Sequence, residues 1–482
     1  MVAAPNVLKP ATDELWSRSA LALGRAYQAR ELSPVEVLDA ILARCQAINP
    51  QLNAIVTLDA AGARQAARDS ETRWRRGEAL GALDGVPLTV KDNIPVRGLR
   101  TTWGSRLLAD YTPVRDELPV ARLRAQGAVI LGKTNVPEFT LQGYTHNELF
   151  GTTGNPWNPR LTPGGSSGGA VAAVAAGLGP LAVGTDGGGS IRRPAGHTGL
   201  VGLKPSTGRV ARVSGLPAIL HDFEVIGPIA RTTADAALLF AAIAGPDLQD
   251  RTSLAFPTGA GTIEPALGRQ RILYVPRFGA SPVDPEIAAH VADAARAFEA
   301  LGHMVEEGEA PFDIPTLDRI WSIVGPAGLA WFLRDHPGWE GEVQPALRRV
   351  AEQGAALQAA DYADALEKSV RMRAGFAETF TAFDAILTPC FAALPWSADA
   401  THPEFIDGRQ AGPRGHAVFT AFANAAGLPG ISIPCTPSSG GLPIAIQLVG
   451  AFGADELLLS LAAQYEQAHP WADRWPALDA SK

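Results

Sequence analysis

The sequence predicts an α/β fold, in which helices pack on a β-sheet. Two observations support this prediction. Near the middle of the chain a glycine-rich loop opens a helix, the helix leads to a strand, and a second glycine-rich loop ends at a serine. Farther on, a strand, a helix and a strand follow one another, an alternation that is typical of α/β sheets. The segments of the first unit are Gly164–Gly169, Ala170–Ala176, Leu181–Val183 and Gly187–Ser190, and those of the second are Arg271–Val275, Asp284–Leu301 and Met304–Glu306.

The composition is that of a large globular protein. The 482 residues are 46% hydrophobic and 19% charged, and the formal net charge is -8. An excess of acidic residues argues against nucleic-acid binding as the main function. The Ala/Gly-rich stretch 168–184 is broken by glycine and proline, so no membrane-spanning run is indicated. Because large α/β enzymes can form one unit, we expect a single domain over residues 1–482.

The cysteines and the first residues bear on the cellular compartment. Cys45, Cys390 and Cys435 are far apart and lack the spacing of a zinc site, and their odd number suits a reducing compartment. The beginning of the chain, MVAAPNVLKPATDELW, has no basic segment followed by an apolar core, so no signal peptide is indicated. We therefore expect a cytoplasmic protein without a metal site or a membrane segment.

Two helices are expected before the first strand. Thr12–Ala29 has an amphipathic helical pattern. Ser33 and Glu36 form a capping box, with proline at the first helical position, so a second helix is expected from Pro34 to about Ile48. These helices would pack on the core or on another copy of the chain, which leaves a homodimer as one expectation.

A lysine follows the first apolar strand. Leu88–Val90 is short, apolar and partly β-branched, and Lys91 comes directly after it. A lysine at the end of a buried strand points into a cleft, where the loss of hydration lowers its pKa and makes it a usable base. The alternative is a surface lysine paired with Asp92.

The segment Gly127–Thr134 matches the pattern of a phosphate-binding loop, G-x-x-x-x-G-K-T. That pattern requires a flexible loop at its variable positions, whereas Ala-Val-Ile-Leu here has the character of a buried strand. A strand ending at Gly132 is the favoured interpretation, with Lys133 structural or at the entrance of the cleft. Nucleotide binding remains the alternative.

The loop-rich segment 137–158 contains Tyr144 and His146, and such loops shape the substrate pocket in cleft enzymes. The next motif, Gly164–Gly168, also matches the G-x-S-x-G elbow of α/β-hydrolases. That elbow requires a strand directly before it, which the proline-containing stretch Asn158–Pro163 cannot supply.

The rest of the chain continues the α/β alternation. Ser214–Pro228 is expected to be a loop, and Ile320–Ala382 is mostly helical. Trp321, Trp331 and Trp339, with Phe332, could form a lid over a bulky substrate or belong to the core. The further expected elements are a helix at Thr232–Ala244, strands at Ala385–Leu387, Gly430–Ile433 and Ile444–Val449, and a closing helix at Glu456–His469.

Several ordered motifs resemble those of the amidase signature family. Together they are far more specific than any one motif. The resemblance covers most of the chain, is weakest at 244–380, and implies a central mixed, twisted β-sheet covered by helices on both faces. It suggests N-terminal helices at about 12–50, a signature core at about 80–245 and a variable, substrate-covering region at about 310–382. The matching motifs are Gly85–Asn93, Gly132–Phe139, Asn155–Asn158, Pro163–Arg192, Gly202–Ser206, Asn424–Pro429 and Gly441–Gln447.

The resemblance also implies a catalytic set. Ser190 matches the family's nucleophile, Ser166 matches a bridging serine that follows a cis peptide bond, and Lys91 matches the base. The backbone N–H groups of Gly187, Gly188 and Gly189 would hold the oxyanion. No metal or organic cofactor is needed. Residues expected to support the site are Ser167, Asp186 and Arg192; those expected to contact substrate are Tyr144 and Arg209, and Arg193 could face an anionic group.

The chemistry that follows is hydrolysis of a small-molecule amide. A serine hydroxyl becomes a good nucleophile when a base takes its proton, and a neutral lysine could do so through the second serine. The expected substrates include aryl amides and carbamates. The alternative within the family is the glutaminase component of a tRNA amidotransferase, which ranks lower because a phenylalanine-aspartate-glycine stretch expected there is missing. A binding scaffold that has lost activity is disfavoured by the retention of Lys91, Ser166 and Ser190 together.

Overall fold

The fold is built on one mixed sheet that positions the glycine-rich loops. A computed structural model describes residues 7–10 and 14–478, and within these ranges eleven strands form that sheet. Six further described strands form three separate two-stranded sheets. In chain order, all of these strands are β1 (Val7–Leu8), β2 (Ile55–Leu58), β3 (Pro87–Lys91), β4 (Val129–Thr134), β5 (His146–Asn147), β6 (Gly151–Thr152), β7 (Leu181–Asp186), β8 (Val201–Lys204), β9 (Val225–Ala230), β10 (Arg271–Tyr274), β11 (Met304–Glu307), β12 (Ala385–Pro389), β13 (Phe405–Ile406), β14 (Arg409–Gln410), β15 (Gly430–Pro434), β16 (Ala445–Gly450) and β17 (Trp475–Pro476).

Helices flank the sheet. They are α1 (Ala20–Ala29), α2 (Pro34–Leu52), α3 (Ala60–Arg76), α4 (Leu118–Ala125), α5 (Gly168–Ala175), α6 (Arg192–Thr198), α7 (Thr233–Ile243), α8 (Pro285–Ala300), α9 (Ile314–Leu333), α10 (Trp339–Glu342), α11 (Pro345–Ala355), α12 (Ala359–Ala382), α13 (Ala421–Ala425) and α14 (Asp455–Ala468). No helix in the described ranges is both long and apolar enough to cross a membrane.

The sheet is mixed, and this confirms the predicted fold class. Its strand order is β11-β10-β12-β16-β15-β8-β9-β7-β3-β4-β2. The pairs β3–β4, β3–β7, β10–β11 and β10–β12 are parallel, whereas β7–β9, β8–β9, β8–β15, β12–β16, β15–β16 and β2–β4 are antiparallel. The parallel pairing of β3 with β7 brings the end of the lysine strand beside the start of the second glycine loop.

The N-terminal helices differ in how well the sequence predicted them. The capping box of α2 is present, because Glu36 accepts a hydrogen bond from the Ser33 N–H at 2.9 Å. The first helix was predicted over Thr12–Ala29, of which residues 12 and 13 lie outside the described residues. Helix α1 begins only at Ala20, since Asp235 of α7 accepts the N–H groups of Ala20 and Leu21 and holds the helix start there.

Two further boundaries correct the sequence prediction. Strand β4 does not end at Gly132 but continues to Thr134, so Lys133 lies within the strand. Gly132 has φ 154°, and a Cβ there would lie 2.0 Å from the Thr57 carbonyl oxygen, so glycine allows the neighbouring strand β2 to approach. The segment predicted as a loop up to Pro228 already contains the buried strand β9.

The remaining elements follow the predicted order. Helix α8, strand β10 and strand β11 lie within a residue of their expected bounds, and α9 to α12 make the region after residue 314 mostly helical. The single domain stays a prediction, although one contiguous cluster of buried apolar side chains extends from Trp16 to Trp475.

Candidate active site

A cavity of about 490 Å³ opens at the second glycine loop. Its lining includes Gly187, Gly188 and Ser190 on one side and Trp321 of α9 on the other. Tyr144 also lines it, which agrees with the prediction that the loop 137–158 shapes a pocket. Burial raises the pKa of the Tyr144 hydroxyl, so this side chain is a neutral donor at physiological pH.

Lys91 is the last residue of β3 and is fully buried beneath this loop. Its Nζ lies 2.8 Å from Ser166 Oγ, 2.8 Å from Thr185 Oγ1 and 3.1 Å from the Thr185 carbonyl oxygen. Burial lowers the pKa of Lys91 to about 7, although Glu224 and Asp186 oppose this shift. A substantial fraction of Lys91 is therefore neutral near pH 7.

The alternative partner for Lys91, Asp92, binds a different lysine. Asp92 Oδ1 lies 3.1 Å from Nζ of Lys133, which is also buried, and Asp92 Oδ2 accepts from Thr102. Asp92 begins the turn after β3, and its partners Lys133 and Thr102 differ from the partners of Lys91, which are Ser166 and Thr185. Lys133 is structural, and the phosphate-binding interpretation of Gly127–Thr134 fails because Val129–Thr134 of that segment form the buried strand β4 and not a flexible loop.

The two serines of the predicted relay lie in loops: Ser166 precedes α5, and Ser190 lies between β7 and α6. The peptide bond between Gly165 and Ser166 is cis, as the family resemblance implied, and Ser166 is fully buried. Ser190 is 7% exposed and reaches the cavity. Ser167 links the two loops, since its N–H donates to the Ser190 carbonyl oxygen at 3.1 Å and its hydroxyl to the Thr185 carbonyl oxygen at 3.3 Å.

An ion pair holds the second glycine loop. Arg192 Nη2 lies 2.8 Å from Asp186 Oδ1, and both side chains are fully buried. Burial alone would raise the pKa of Asp186, but the Arg192 guanidinium outweighs it and holds that pKa well below its usual range. Arg192 also donates to Gln447, and Asn424 donates to the Asp186 carboxylate.

The structure separates the three glycines that were predicted to hold an oxyanion. Gly187 and Gly188 line the cavity. Gly189 does not belong to the lining, and its N–H donates to Asp186 Oδ1 at 2.6 Å. The prediction for Gly189 is therefore wrong: its N–H fixes the loop to Asp186 and is not directed at a ligand.

Arg209 was expected to contact substrate, but it lies elsewhere. Its guanidinium is buried, pairs with Glu456 of α14 at 2.5 Å and donates to the carbonyl oxygens of Pro257 and Gly259. Arg209 joins the segment after β8 to the closing helix and does not line the cavity. The prediction that Arg209 contacts substrate is therefore corrected: Arg209 supports the structure away from the cavity.

Of the aromatic side chains of helix α9, one lines the cavity and two do not. Trp321 lines the cavity, and its indole Nε1 has no partner among the described residues. Trp331, ten positions farther along α9, is 47% exposed, and Phe332 packs against Trp103 and Phe139. Only Trp321 of these side chains supports a role as a substrate cover.

Sequence reasoning missed residues that complete the site. Asn93 donates to Thr185 Oγ1 at 3.0 Å, and Thr420 donates to the Gly188 carbonyl oxygen at 2.7 Å. Asn93 and Thr185 belong to motifs that contain Lys91 and Ser190, so their proximity in the sequence was a usable signal. Thr420 lies in no motif and could not have been found. Among the described residues, no group of three or more His, Cys, Asp or Glu side chains is arranged to hold a metal ion.

Known proteins resemble this chain over nearly its full length. The model of the amidase family matches residues 36–459. An acylamidase of Rhodococcus erythropolis is 36% identical, over 95% of this chain and 97% of the relative. A glutamyl-tRNA(Gln) amidotransferase subunit of Roseiflexus castenholzii is 38% identical, over 92% of this chain and 94% of the relative.

Solved structures with a similar fold also cover nearly the whole chain. A bacterial aryl acylamidase of the amidase signature family has a TM-score of 0.86 at 30% identity, covering 94% of this chain and 97% of its own. A 6-aminohexanoate cyclic dimer hydrolase complexed with substrate has a TM-score of 0.86 at 31% identity, covering 96% and 99%.

Proposed function

Because this chain belongs to the amidase signature family of enzymes that act on amide C–N bonds, we propose that it is a serine hydrolase that forms an acyl-enzyme on Ser190. The observation that carries the proposal is the buried contact of 2.8 Å between Lys91 Nζ and Ser166 Oγ, beneath a cavity that Ser190 lines. No carboxylate touches this lysine among the described residues, and burial brings its pKa to about 7.

The hydrogen bonds around Lys91 support a defined direction of proton transfer. The Thr185 carbonyl oxygen can only accept, and Thr185 Oγ1 also receives the amide of Asn93. Donation to the two Thr185 oxygens uses both N–H bonds of a neutral lysine. Its lone pair then faces Ser166, which can pass on the proton it receives from Ser190.

In the proposed reaction, Ser190 Oγ attacks the carbonyl carbon while its proton moves through Ser166 to Lys91. The N–H groups of Gly187 and Gly188 stabilise the developing oxyanion, and Asp186 holds the loop through Gly189. The proton returns through Ser166 to the leaving nitrogen, and the C–N bond breaks. Water then cleaves the acyl-enzyme by the same relay.

The proposed substrates are aryl amides and aryl carbamates of small size. A cavity of about 490 Å³ accommodates a single aromatic ring with its amide, and Trp321, Phe278 and Leu317 give it apolar walls. The similarity to an aryl acylamidase supports the proposal that aryl amides are substrates. A carbamate carbonyl differs by one ester oxygen and is open to the same attack.

Glutamine hydrolysis for a tRNA amidotransferase is the second candidate. It is favoured by the identity of 38% to the Roseiflexus protein, which is close to the 36% for the acylamidase. The structural likeness to the corresponding amidotransferase protein from Thermotoga maritima is lower, with a TM-score of 0.78.

We propose a cytoplasmic enzyme, which the three free, buried cysteines support. A homodimer stays a prediction, and measurement of the mass in solution would test it.

The experiment is amine release from p-nitroacetanilide, an N-aryl carbamate, an aliphatic primary amide and glutamine. The intact protein is compared with Ser190→Ala and with Ser281→Ala, a second serine of the cavity lining outside the relay. We expect release of p-nitroaniline that disappears in Ser190→Ala and persists in Ser281→Ala. Ammonia release from glutamine alone would favour the amidotransferase function, and release that survives Ser190→Ala would contradict the proposal.

A further inference from the structure

Arg193 is a buried cation that lacks an anionic partner. It is 7% exposed, lines the cavity together with Ser190, and forms no salt bridge with any residue that the structure describes. Its Nη1 donates to the Gly188 carbonyl oxygen at 2.7 Å and lies 3.0 Å from Thr420 Oγ1, while its Nε has no partner among the described residues. The neighbouring Arg192, by contrast, is saturated by Asp186, Asn424 and Gln447.

The charges around Arg193 do not neutralise it. Burial lowers its pKa to about 10, so the guanidinium is still charged at pH 7. His416 is the nearby titratable group of the lining; burial and Arg193 hold its pKa well below its ordinary value, so it is neutral. Arg349 and Arg414 add two exposed cations to the same lining. Asp318 is the sole carboxylate among the described lining residues, and it lies near Arg414.

A cavity with three guanidinium groups and one carboxylate favours an anion. Burying a cation without a counter-charge is costly, and that cost is recovered when a ligand supplies the charge. A guanidinium and a carboxylate form strong, charge-assisted hydrogen bonds. Among the described residues the hydrogen bonds of Arg193 all use Nη1, and the side chain lines the cavity, so its remaining guanidinium donors are available to a ligand beside the nucleophile loop.

We propose that the substrate carries a carboxylate group and that Arg193 binds it inside the cavity that Ser190 lines. The inference rests on the proposed function, because Ser190 cleaves what Arg193 holds. It narrows the substrate class from aryl amides in general to amides or carbamates of which one side, acyl or amine, ends in a carboxylate. Arg193 is then a determinant of specificity as well as a support for the Gly188 carbonyl.

The test compares the binding of matched acids and neutral amides. This comparison separates recognition of a carboxylate by Arg193 from its support of the Gly188 carbonyl. The protein is Ser190→Ala, so that no probe is consumed. One pair is 4-(4-nitroanilino)-4-oxobutanoate and its carboxamide, with the charge on the acyl side. The other is 4-acetamidobenzoate and its carboxamide, with the charge on the amine side. Calorimetry gives the ratio of the two dissociation constants in each pair.

We expect the acid of at least one pair to bind about 10- to 100-fold more tightly than its carboxamide, as a hydrogen-bonded ion pair of this kind implies. Adding Arg193→Gln should bring the ratio to about one, and Arg193→Lys should retain part of it. Arg371→Gln, on an exposed pair with Glu367, is the matched control and should leave the ratio unchanged. A purely structural role would weaken acid and carboxamide equally.

The inference is overturned if the ratio stays within about twofold of one in both pairs, if Arg193→Gln leaves it unchanged, or if neither acid binds at millimolar concentration. Amine release from p-nitroacetanilide and from 4-(4-nitroanilino)-4-oxobutanoate, the neutral and the carboxylate-bearing anilide, is measured in parallel on the protein with Ser190 intact. Ser190-dependent release without an acid preference refutes the carboxylate site alone. An acid preference without any amine release refutes the hydrolase alone.

Discussion

Two buried lysines on neighbouring strands have different roles because their contacts differ. Lys133 touches the carboxylate of Asp92, which opposes the lowering of its pKa by burial. Among the described residues, Lys91 forms hydrogen bonds with the oxygens of Ser166 and Thr185, and the charges of Glu224 and Asp186 act on it from farther away. A neutral amine at Lys91 is therefore available to accept a proton, whereas Lys133 is held by its ion pair.

The first prediction concerns the pH dependence of hydrolysis. Lys91 must be deprotonated to act as the base, so kcat/KM should rise with pH, with a midpoint near the pKa of about 7, and reach a plateau above it. The measurement uses p-nitroacetanilide, which is neutral across this range. Lys91→Met should lower kcat/KM by about 100-fold or more, and a profile that is flat from about pH 5 to 9 would exclude Lys91 as the base.

The second prediction concerns the ion pair under the glycine loop. Asp186→Asn leaves the Arg192 guanidinium buried without its counter-charge, so the free energy of unfolding should fall by about 3 to 5 kcal/mol. Denaturation in urea measures it. Asp364→Asn removes an exposed pair with Lys368 and should change stability by about 0.5 kcal/mol or less. Equal losses in both variants would show that burial of the pair does not matter.

Residue positions could be predicted where the residues lie in motifs that resemble those of the family, and not where a contact involves a residue outside these motifs. The proposed set of Lys91, Ser166 and Ser190 came from the resemblance of their motifs to those of the family, and the structure brings Lys91 and Ser166 into contact. Arg209 was misassigned because its partner Glu456 belongs to the closing helix, and no local pattern reveals that contact. Gly189 was misassigned because the direction of a single N–H depends on backbone geometry.

At the level of elements, helix α9 divides its aromatic side chains between the cavity and the surface. Ten residues along an α-helix fall about 80° short of three full turns. The side chains of Trp321 and Trp331 therefore point in different directions and have different surroundings. Trp321 contacts Phe223 and lines the cavity, whereas Trp331 is half exposed. The helical pattern of 320–382 was predictable, but the side facing the substrate depends on how α9 packs against α11 and the sheet.

The third prediction uses this pair of tryptophans. Trp321→Ala should raise KM for p-nitroacetanilide about 10-fold or more, because burial of an aromatic ring contributes more than about 1.4 kcal/mol to binding. Trp331→Ala should change KM by less than about twofold. Steady-state kinetics on both variants, with thermal melting to establish that each is folded, provides the measurement. A larger effect from Trp331 would mean that α9 presents its other face to the substrate.

For the whole molecule, the sequence predicts the α/β class of the fold but not the order of the strands in the sheet. Alternating strands and helices indicate an α/β fold, yet β8 pairs with β15 and β12 with β16, across long stretches of intervening chain. Pairing of distant strands depends on side-chain complementarity across the sheet, which a local pattern does not contain. The two ends of the described chain also meet, since β1 pairs with β17.

The last prediction follows from this closure. Trp475 of β17 packs edge-on against Trp16 at 5.0 Å and lies beneath the guanidinium of Arg231 at 3.4 Å, and both tryptophans belong to the contiguous core. If the chain is one cooperative domain, Trp475→Ala should lower the stability of the entire fold by about 3 to 5 kcal/mol. Far-UV circular dichroism and tryptophan fluorescence in urea should then shift together, with coincident midpoints. A separate early transition in the variant would show that the N-terminal helices unfold independently, and the single-domain prediction would be wrong.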